Sequence, residues 1–393
     1  VRYLGKSGSR SLWKNIYLLG LTSFFTDMST ESVLSILPVF FTEVLGAPRW
    51  LLGFVDGLAE SINYLTRVFS GAVADRLGSR KWIAFLGYTI SNVAKPMLYF
   101  ATSWYHVLVI RIVDRFGKGV RGPPRDALIS LSVRERVTGR AFGIQRALDE
   151  LGATLGPLAA TLILLLGLGY RSVFLFSAIP GALALLSLLP VVDVGTGTGG
   201  REVSIFTMYR RLPRSYLRVL VPISIMSIGF TSFSFILLLA RSSGIPEYLV
   251  PMVFLLIHFM NVLGSFLSGF LCDAIGSSKV LLMSFLMYSA TCAVPVLLQI
   301  NPLIAVVTAV LYGLYQGIYE VSSRALVPTY VPSELRGVGY SALQVASGVL
   351  SIVGFTIFGY LWDVVGVKIA FTYSLTIALV SSLVLYLLTV RRE

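Results

Sequence analysis

Apolar positions along this chain neither alternate nor fall on a narrow stripe. They run on for roughly twenty residues at a time and then stop at a short polar break. The runs 152–169, 172–192, 280–300 and 369–390 hold no charged side chain at all. A helix needs about 20 such residues to cross the hydrocarbon layer of a bilayer. Reading runs between breaks predicts about twelve spans on that requirement. They lie near 15–45, 50–74, 82–101, 104–130, 138–168, 171–192, 216–241, 246–271, 280–299, 302–330, 337–362 and 368–390. The expected fold class is an all-α polytopic membrane protein.

Composition agrees with the pattern. Of 393 residues 55% are hydrophobic and 13% charged, and the mean hydropathy is +0.81. Soluble domains average about 45–50% apolar and about 25% charged, so this chain would leave too much apolar surface in water. The net charge of +13 would suggest nucleic acid in a soluble protein. In a membrane protein it reports orientation first, because Lys and Arg collect in cytoplasmic loops. Alternate loops carry Arg76/Arg80/Lys81, Arg134/Arg136/Arg140, Arg201/Arg210/Arg211/Arg214, Lys279, Arg336 and Arg391/Arg392. The opposite loops keep Arg49, Arg171, Arg241 and Lys368. That bias predicts both termini in the cytoplasm, with Val1 to Lys14 as a basic cytoplasmic leader. Cys272 and Cys292 both fall in apolar segments, so neither a disulfide framework nor a C-x-x-C metal site is expected.

The chain also repeats itself. At an offset of 198 residues, Asp75-x-x-Gly78-Ser-x-Lys81 returns as Asp273-x-x-Gly276-Ser-x-Lys279. Pro48 returns as Pro246, Gly119 as Gly317, Ala127-Leu128 as Ala325-Leu326, Gly139 as Gly337 and Gly156 as Gly354. Two parallel six-span halves are one plan of secondary transporters. The expected domains are an N-terminal six-helix bundle at 1–192, a cytoplasmic linker at 193–215 and a C-terminal six-helix bundle at 216–393.

Between spans two and three, Gly71-Ala-Val-Ala-Asp75-Arg76-Leu-Gly78-Ser-Arg80-Lys81 resembles motif A of the major facilitator superfamily, G-x-x-x-D-R-x-G-x-[RK]-[RK]. Gly152-x-x-x-Gly156-Pro157 is similar to the antiporter motif C, and Arg111 stands where motif B has its arginine. The resemblance spans the whole chain and lies nearest the prokaryotic, proton-coupled drug and metabolite antiporter-like groups. It implies two pseudo-symmetric bundles that alternate access to a central site. It implies a gating role for motif A, to which we add Arg125, Asp126 and Asp273, and a tilt toward export from motif C. On packing grounds alone, Gly71 permits close helix contact and Asp75 caps a helix end.

Charges at bilayer depth are costly, so they face partners or a cavity. Span four carries Arg111, Asp114, Arg115, Lys118, Arg121, Arg125 and Asp126, spaced 3, 4, 7, 10, 14 and 15 from Arg111, which lays an ionic stripe on one helix face. Counted with Asp27, Glu31, Asp56, Glu60, Arg67, Lys95, Arg146, Asp149 and Glu150 in neighbouring spans, these charges make eight acids and eight bases. Asp27, Glu31, Arg111, Asp114, Asp149 and Glu150 are the candidate proton-coupling residues; static salt bridging is the plain alternative. The second half reads as aromatic, with Tyr312, Tyr315, Gln316, Tyr319 and Glu320 on span ten, Asn261 on span eight and Gln344 on span eleven. Together with Lys118 and Arg121 these are the candidate substrate contacts; for the tyrosines, helix packing weighs equally.

Gly117-x-Gly119-x-x-Gly122 copies a dinucleotide fingerprint. It sits inside a span with no strand before it, so these glycines are expected to admit a neighbouring helix, and Pro123-Pro124 to bend or end their own. No HExxH, G-x-S-x-G or P-loop is present. The expected function is proton-coupled secondary transport, by export, of a small amphipathic organic molecule across the plasma membrane. The alternatives are uptake of an organic anion and, behind it, divalent-metal export. A monomer embedded in lipid, with no enzyme activity, cofactor, bound metal or nucleic acid, is expected.

Overall fold

The structure is a computed structural model that describes residues 6–133, 137–194, 210–389 and 391. Among these, all regular structure is helical. In chain order the helices are α1 Lys6–Leu34, α2 Arg49–Leu77, α3 Arg80–Ala94, α4 Trp104–Leu131, α5 Thr138–Leu165, α6 Gly169–Phe176 and α7 Ala178–Leu188. They continue as α8 Arg214–Gly229, α9 Phe233–Ser242, α10 Val250–Ile275, α11 Ser277–Leu297, α12 Pro302–Tyr330, α13 Arg336–Val364 and α14 Val367–Leu388. A 3₁₀ segment, Lys95–Phe100, extends α3, and a π-helical turn, Phe40–Val44, follows α1.

Among the described residues eight helical segments are long and apolar enough to cross a membrane, the first at Thr138–Leu165 and the last at Val367–Leu388. Helices α1, α2 and α4 match them in length, at 29, 29 and 28 residues. Their acids and bases set them apart. Helix ends are marked by glycines in the left-handed region that side chains with a Cβ avoid. Gly46 (φ 62°) and Gly244 (φ 100°) are 198 residues apart, as are Gly78 (φ 66°) and Gly276 (φ 90°). The sequence repeat is thus also a repeat of backbone conformation.

The chain gathers into two compact units: Val1–Leu37 with Ile62–Arg201, and Pro38–Ser61 with Glu202–Glu393. Helix α2 therefore belongs to the second unit by its first half and to the first by its second half. In the first unit α1 packs on α5 and α3 on α4; in the second α8 packs on α13 and α11 on α12. These are the same pairs of repeat positions.

Glycines set the closeness of the contacts. A Cβ on Gly119 would stand 2.8 Å from the Asn63 carbonyl oxygen, and one on Gly317 would strike the Asn261 carbonyl, so each repeat closes on the same asparagine backbone. Helix α4 does not end at its prolines; it runs on to Leu131. Pro123 removes the N–H that would bond the Gly119 carbonyl. The Ser70 hydroxyl donates to that oxygen instead, at 3.1 Å, so the helix continues.

In the second unit Pro38–Ser61 is fastened by polar contacts. Arg49 pairs with Asp363 at 3.1 Å, Arg241 with Glu43 at 3.1 Å, and the Ser61 hydroxyl donates to the Gly348 carbonyl at 2.9 Å. Gly53 and Gly57 of α2 leave no room for a Cβ against the α13 backbone at Phe355 and Ile352.

Candidate functional site

The first unit carries an ionic interior, assembled where glycines draw helices together. A Cβ on Gly156 of α5 would be 2.7 Å from both the Met28 carbonyl and the Ser32 nitrogen of α1, and one on Gly152 would collide with the Phe24 carbonyl. Asp149 lies one turn before Gly152 on the same face. It is thereby brought close to Asp27 of α1. The glycines of motif C thus position an acid pair, with Pro157 buried on the same helix. Arg146 reaches Asp149 at 3.0 Å and Glu150 at 2.5 Å from an exposed position, so Glu150 sits at the outer edge of the cluster.

The crossing of α3 and α4 works in the same way. Gly87 and Gly117 face each other, each 2.7 Å from the other's carbonyl oxygen when a Cβ is placed on it. Beside that contact the Ser91 hydroxyl donates to Asp114 at 2.6 Å. Arg111 and Arg115 flank the same carboxylate at 3.7 and 3.8 Å. Arg111 thus meets Asp114 one turn away on its own helix, and Arg121 lies 4.0 Å from Asp27.

Lys95 is 2% exposed and held by three uncharged oxygens: Thr30 Oγ1 at 2.9 Å, Asn92 Oδ1 at 2.9 Å and the Thr26 carbonyl at 3.4 Å. Arg121, 4% exposed, lies with its guanidinium carbon 4.5 Å from the centre of the Tyr88 ring. Glu31 is buried on α1, and Lys118 is close enough to Asp27 to act on its charge. Arg125 closes on its neighbour Asp126 through two bonds of 2.9 and 2.8 Å, while Arg80 reaches the Val194 carbonyl at 3.4 Å.

The even count of charges read from the sequence changes here. Asp56 and Glu60 lie in Pro38–Ser61 and go with the second unit. Of the counted span charges the first unit keeps six acids (Asp27, Glu31, Asp114, Asp126, Asp149, Glu150) and eight bases (Arg67, Lys95, Arg111, Arg115, Lys118, Arg121, Arg125, Arg146). One cavity in this unit, about 320 Å³ and lined by residues such as Val93, Met97, Phe100 and Leu175, is apolar and shares only Asn92 with the ionic cluster.

The second unit is organised around a break in a helix. Between α8 and α9 the backbone is extended at Phe230 and Ser232. Such backbone inside a membrane protein needs partners from side chains. The Tyr288 hydroxyl accepts from the Thr231 N–H at 2.8 Å and donates to the Gly229 carbonyl at 2.9 Å. Tyr312 donates to the Thr231 carbonyl at 3.1 Å and Tyr373 to that of Ile228 at 2.7 Å. Ser232 caps α9 and, with Ser234, donates to Asp56 Oδ2 at 2.8 and 2.5 Å.

Tyr315 stacks among Tyr288, Tyr312, Tyr319 and Phe230, with ring centres 4.6 to 6.0 Å apart. Tyr312 therefore holds backbone, while Gln316, Tyr319, Glu320 and Gln344 are half-buried on α12 and α13. Asn261 accepts from Ser265 at 3.4 Å. Asp56, Ser232, Ser234 and Tyr288 were missed from the sequence. The polar triplet Thr231-Ser232-x-Ser234 inside an apolar run was the signal that could have found them.

Gly71, Asp75 and Arg76 fall in the last turns of α2, and their side-chain placement lies outside the described residues. The rest of motif A forms the turn into α3. Gly78 takes its left-handed conformation, Ser79 caps α3 and donates to Asp193 at 2.6 Å, and Lys81 reaches the Leu189 carbonyl at 2.7 Å. Asp273 is exposed near the end of α10. Among the described residues no three His, Cys, Asp or Glu side chains gather as a metal site.

The sequence profile of the Major Facilitator Superfamily matches residues 19–261 and 219–393. The chain belongs to the major facilitator superfamily. It is 30% identical over 383 residues to an MFS-type transporter of Methanocaldococcus jannaschii, covering 96% of this chain and 95% of the relative. Over 158 residues it is 28% identical to the multidrug resistance protein MdtH of Photorhabdus laumondii, covering 40% of this chain and 39% of MdtH. The fold is that of the crystallised nucleoside transporter NupG, with a TM-score of 0.79 at 15% identity, covering 96% of this chain and 100% of NupG. This superfamily member is an integral, multi-span membrane transporter of small molecules and not an enzyme.

Proposed function

We propose that this transporter moves a small amphipathic organic solute by alternating access, driven by protons, with the residues of 1–192 and 216–393 as its two moving halves. One observation carries the proton coupling: the Asp27–Asp149 pair at the crossing of α1 and α5. Two carboxyl groups held close together favour keeping one proton between them, because like charges disfavour a second ionisation. Lys118, Arg121 and Arg125 all act on the charge of Asp27, so a change in their partners changes how the proton is held. Arg111, Asp114 and Glu31 lie outside this pair and serve as its charged surroundings.

An amphipathic solute suits a protein with an ionic interior in one unit and an aromatic interior in the other. The resemblance to motif C supports export, as does the similarity to a protein named for multidrug resistance. A plasma-membrane location and a monomeric transport unit complete the reading.

The test is flux in proteoliposomes under an imposed pH gradient. The wild-type protein is expected to accumulate or expel a solute according to the sign of the gradient. In Asp149→Asn, exchange between equal solute pools persists while gradient-driven flux falls at least about tenfold, the usual scale for removing a proton-transfer group. Driven flux that survives both Asp27→Asn and Asp149→Asn would sink the proposal.

A further inference from the structure

We infer that Arg121 is an anion-binding residue and that the transported solute carries a carboxylate or a phosphate-type oxyanion. The inference rests on the proton-coupled reading above and deepens it by naming the substrate class. Three observations converge on this guanidinium. First, the Nη1 of Arg121 is buried and has no hydrogen-bond acceptor among the described residues. Its Nη2 meets Asp27 only at 4.0 Å, beyond hydrogen-bond length. A buried guanidinium normally has its donors filled, and an oxyanion fills two of them in parallel.

Second, the adjoining Tyr88 is fully buried, and its hydroxyl also lacks a partner among the described residues. The Tyr88 ring lies against the guanidinium, so two donors without acceptors occur side by side at one helix crossing. Third, the surroundings are positive. Of the span charges named above for the first unit, eight are bases and six are acids. An anion is the ligand that such an interior stabilises.

Asp27 stands 4.0 Å from the Arg121 Nη2. Its ionised carboxylate competes with an incoming oxyanion for the guanidinium, and a neutral side chain in its place does not.

The full chain, purified in detergent, tests this without any gradient. Binding of benzoate and of phenyl phosphate is measured by thermal shift at matched ionic strength, with benzamide as the neutral isostere. The anions are expected to bind and benzamide not to. Arg121→Gln should weaken them at least about tenfold, as for loss of a charged hydrogen bond.

Asp27→Asn should bind the anions severalfold more tightly. It remains decisive if Arg121→Gln does not fold. Equal binding of benzamide, anion affinity unchanged in Arg121→Gln, no binding of either anion, or no tightening in Asp27→Asn would each overturn the inference. Binding without gradient-driven flux in liposomes keeps the anion site and sinks the proton coupling; driven flux without anion binding does the reverse.

Discussion

Helices α4 and α12 occupy the same position in the two repeats, and their interiors differ in kind. At the 198-residue offset Asp114 of α4 becomes Tyr312 of α12, Lys118 becomes Gln316 and Arg121 becomes Tyr319. The glycine that sets the helix contact is kept in both, as Gly119 and Gly317, and so is the asparagine backbone it meets. Duplication preserved the surface on which helices pack and released the residues that face the interior. In α4 the polar groups are charged, five bases to two acids, and they pair within the helix and with Asp27 of α1. In α12 the tyrosine hydroxyls repair a gap in the backbone between α8 and α9.

The difference can be broken at matched positions. Asp114→Asn leaves Arg111 and Arg115 buried without their carboxylate, and removing one partner of a buried ion pair costs about 3–5 kcal/mol. Tyr312→Phe at the equivalent place removes one neutral hydrogen bond, at about 1 kcal/mol. Thermal unfolding in detergent should show the larger drop for Asp114→Asn; equal drops would mean that the ionic interior is not what holds the first unit. Tyr288→Phe falls between them. It strips both a buried N–H and a carbonyl of their partner, which costs about 2–3 kcal/mol, and should raise hydrogen exchange at Thr231. The smallest effect is expected at Arg146→Gln. Its side chain is 67% exposed, and surface ion pairs contribute about 0–1 kcal/mol. A midpoint unchanged within a degree or two checks it.

Much of this was legible in the sequence because it depends on one helix at a time. Span positions follow from run length, and the ionic face of α4 follows from spacing. The buried positions Arg111, Asp114, Arg115 and Arg121 are the ones that the period selects. Partner choice was not legible. Spacing did not show that Arg121 would meet Asp27 of α1, and Pro123-Pro124 did not stop α4, because a serine on another helix supplied the missing donor. The role of Tyr312 was hidden for a similar reason. Periodicity puts it on an interior face but does not disclose that Thr231, eighty-one residues away, has an unpaired carbonyl there.

Hydrophobicity, charge placement and the 198-residue repeat are properties of local sequence, and they determined the helices, the membrane class and the family to which the chain belongs. Tertiary structure decided which acids and bases meet, that Asp56 and Glu60 go with the second unit and that, among the described residues, Arg121 and Tyr88 each keep a donor without an acceptor. The reason is physical. Burial is fixed by the period of one helix, but the strength of a charge or hydrogen bond depends on separations of a few ångströms between helices. Those separations are set by close contacts at residues such as Gly87, Gly117, Gly152 and Gly156, which exist only once the chain has folded.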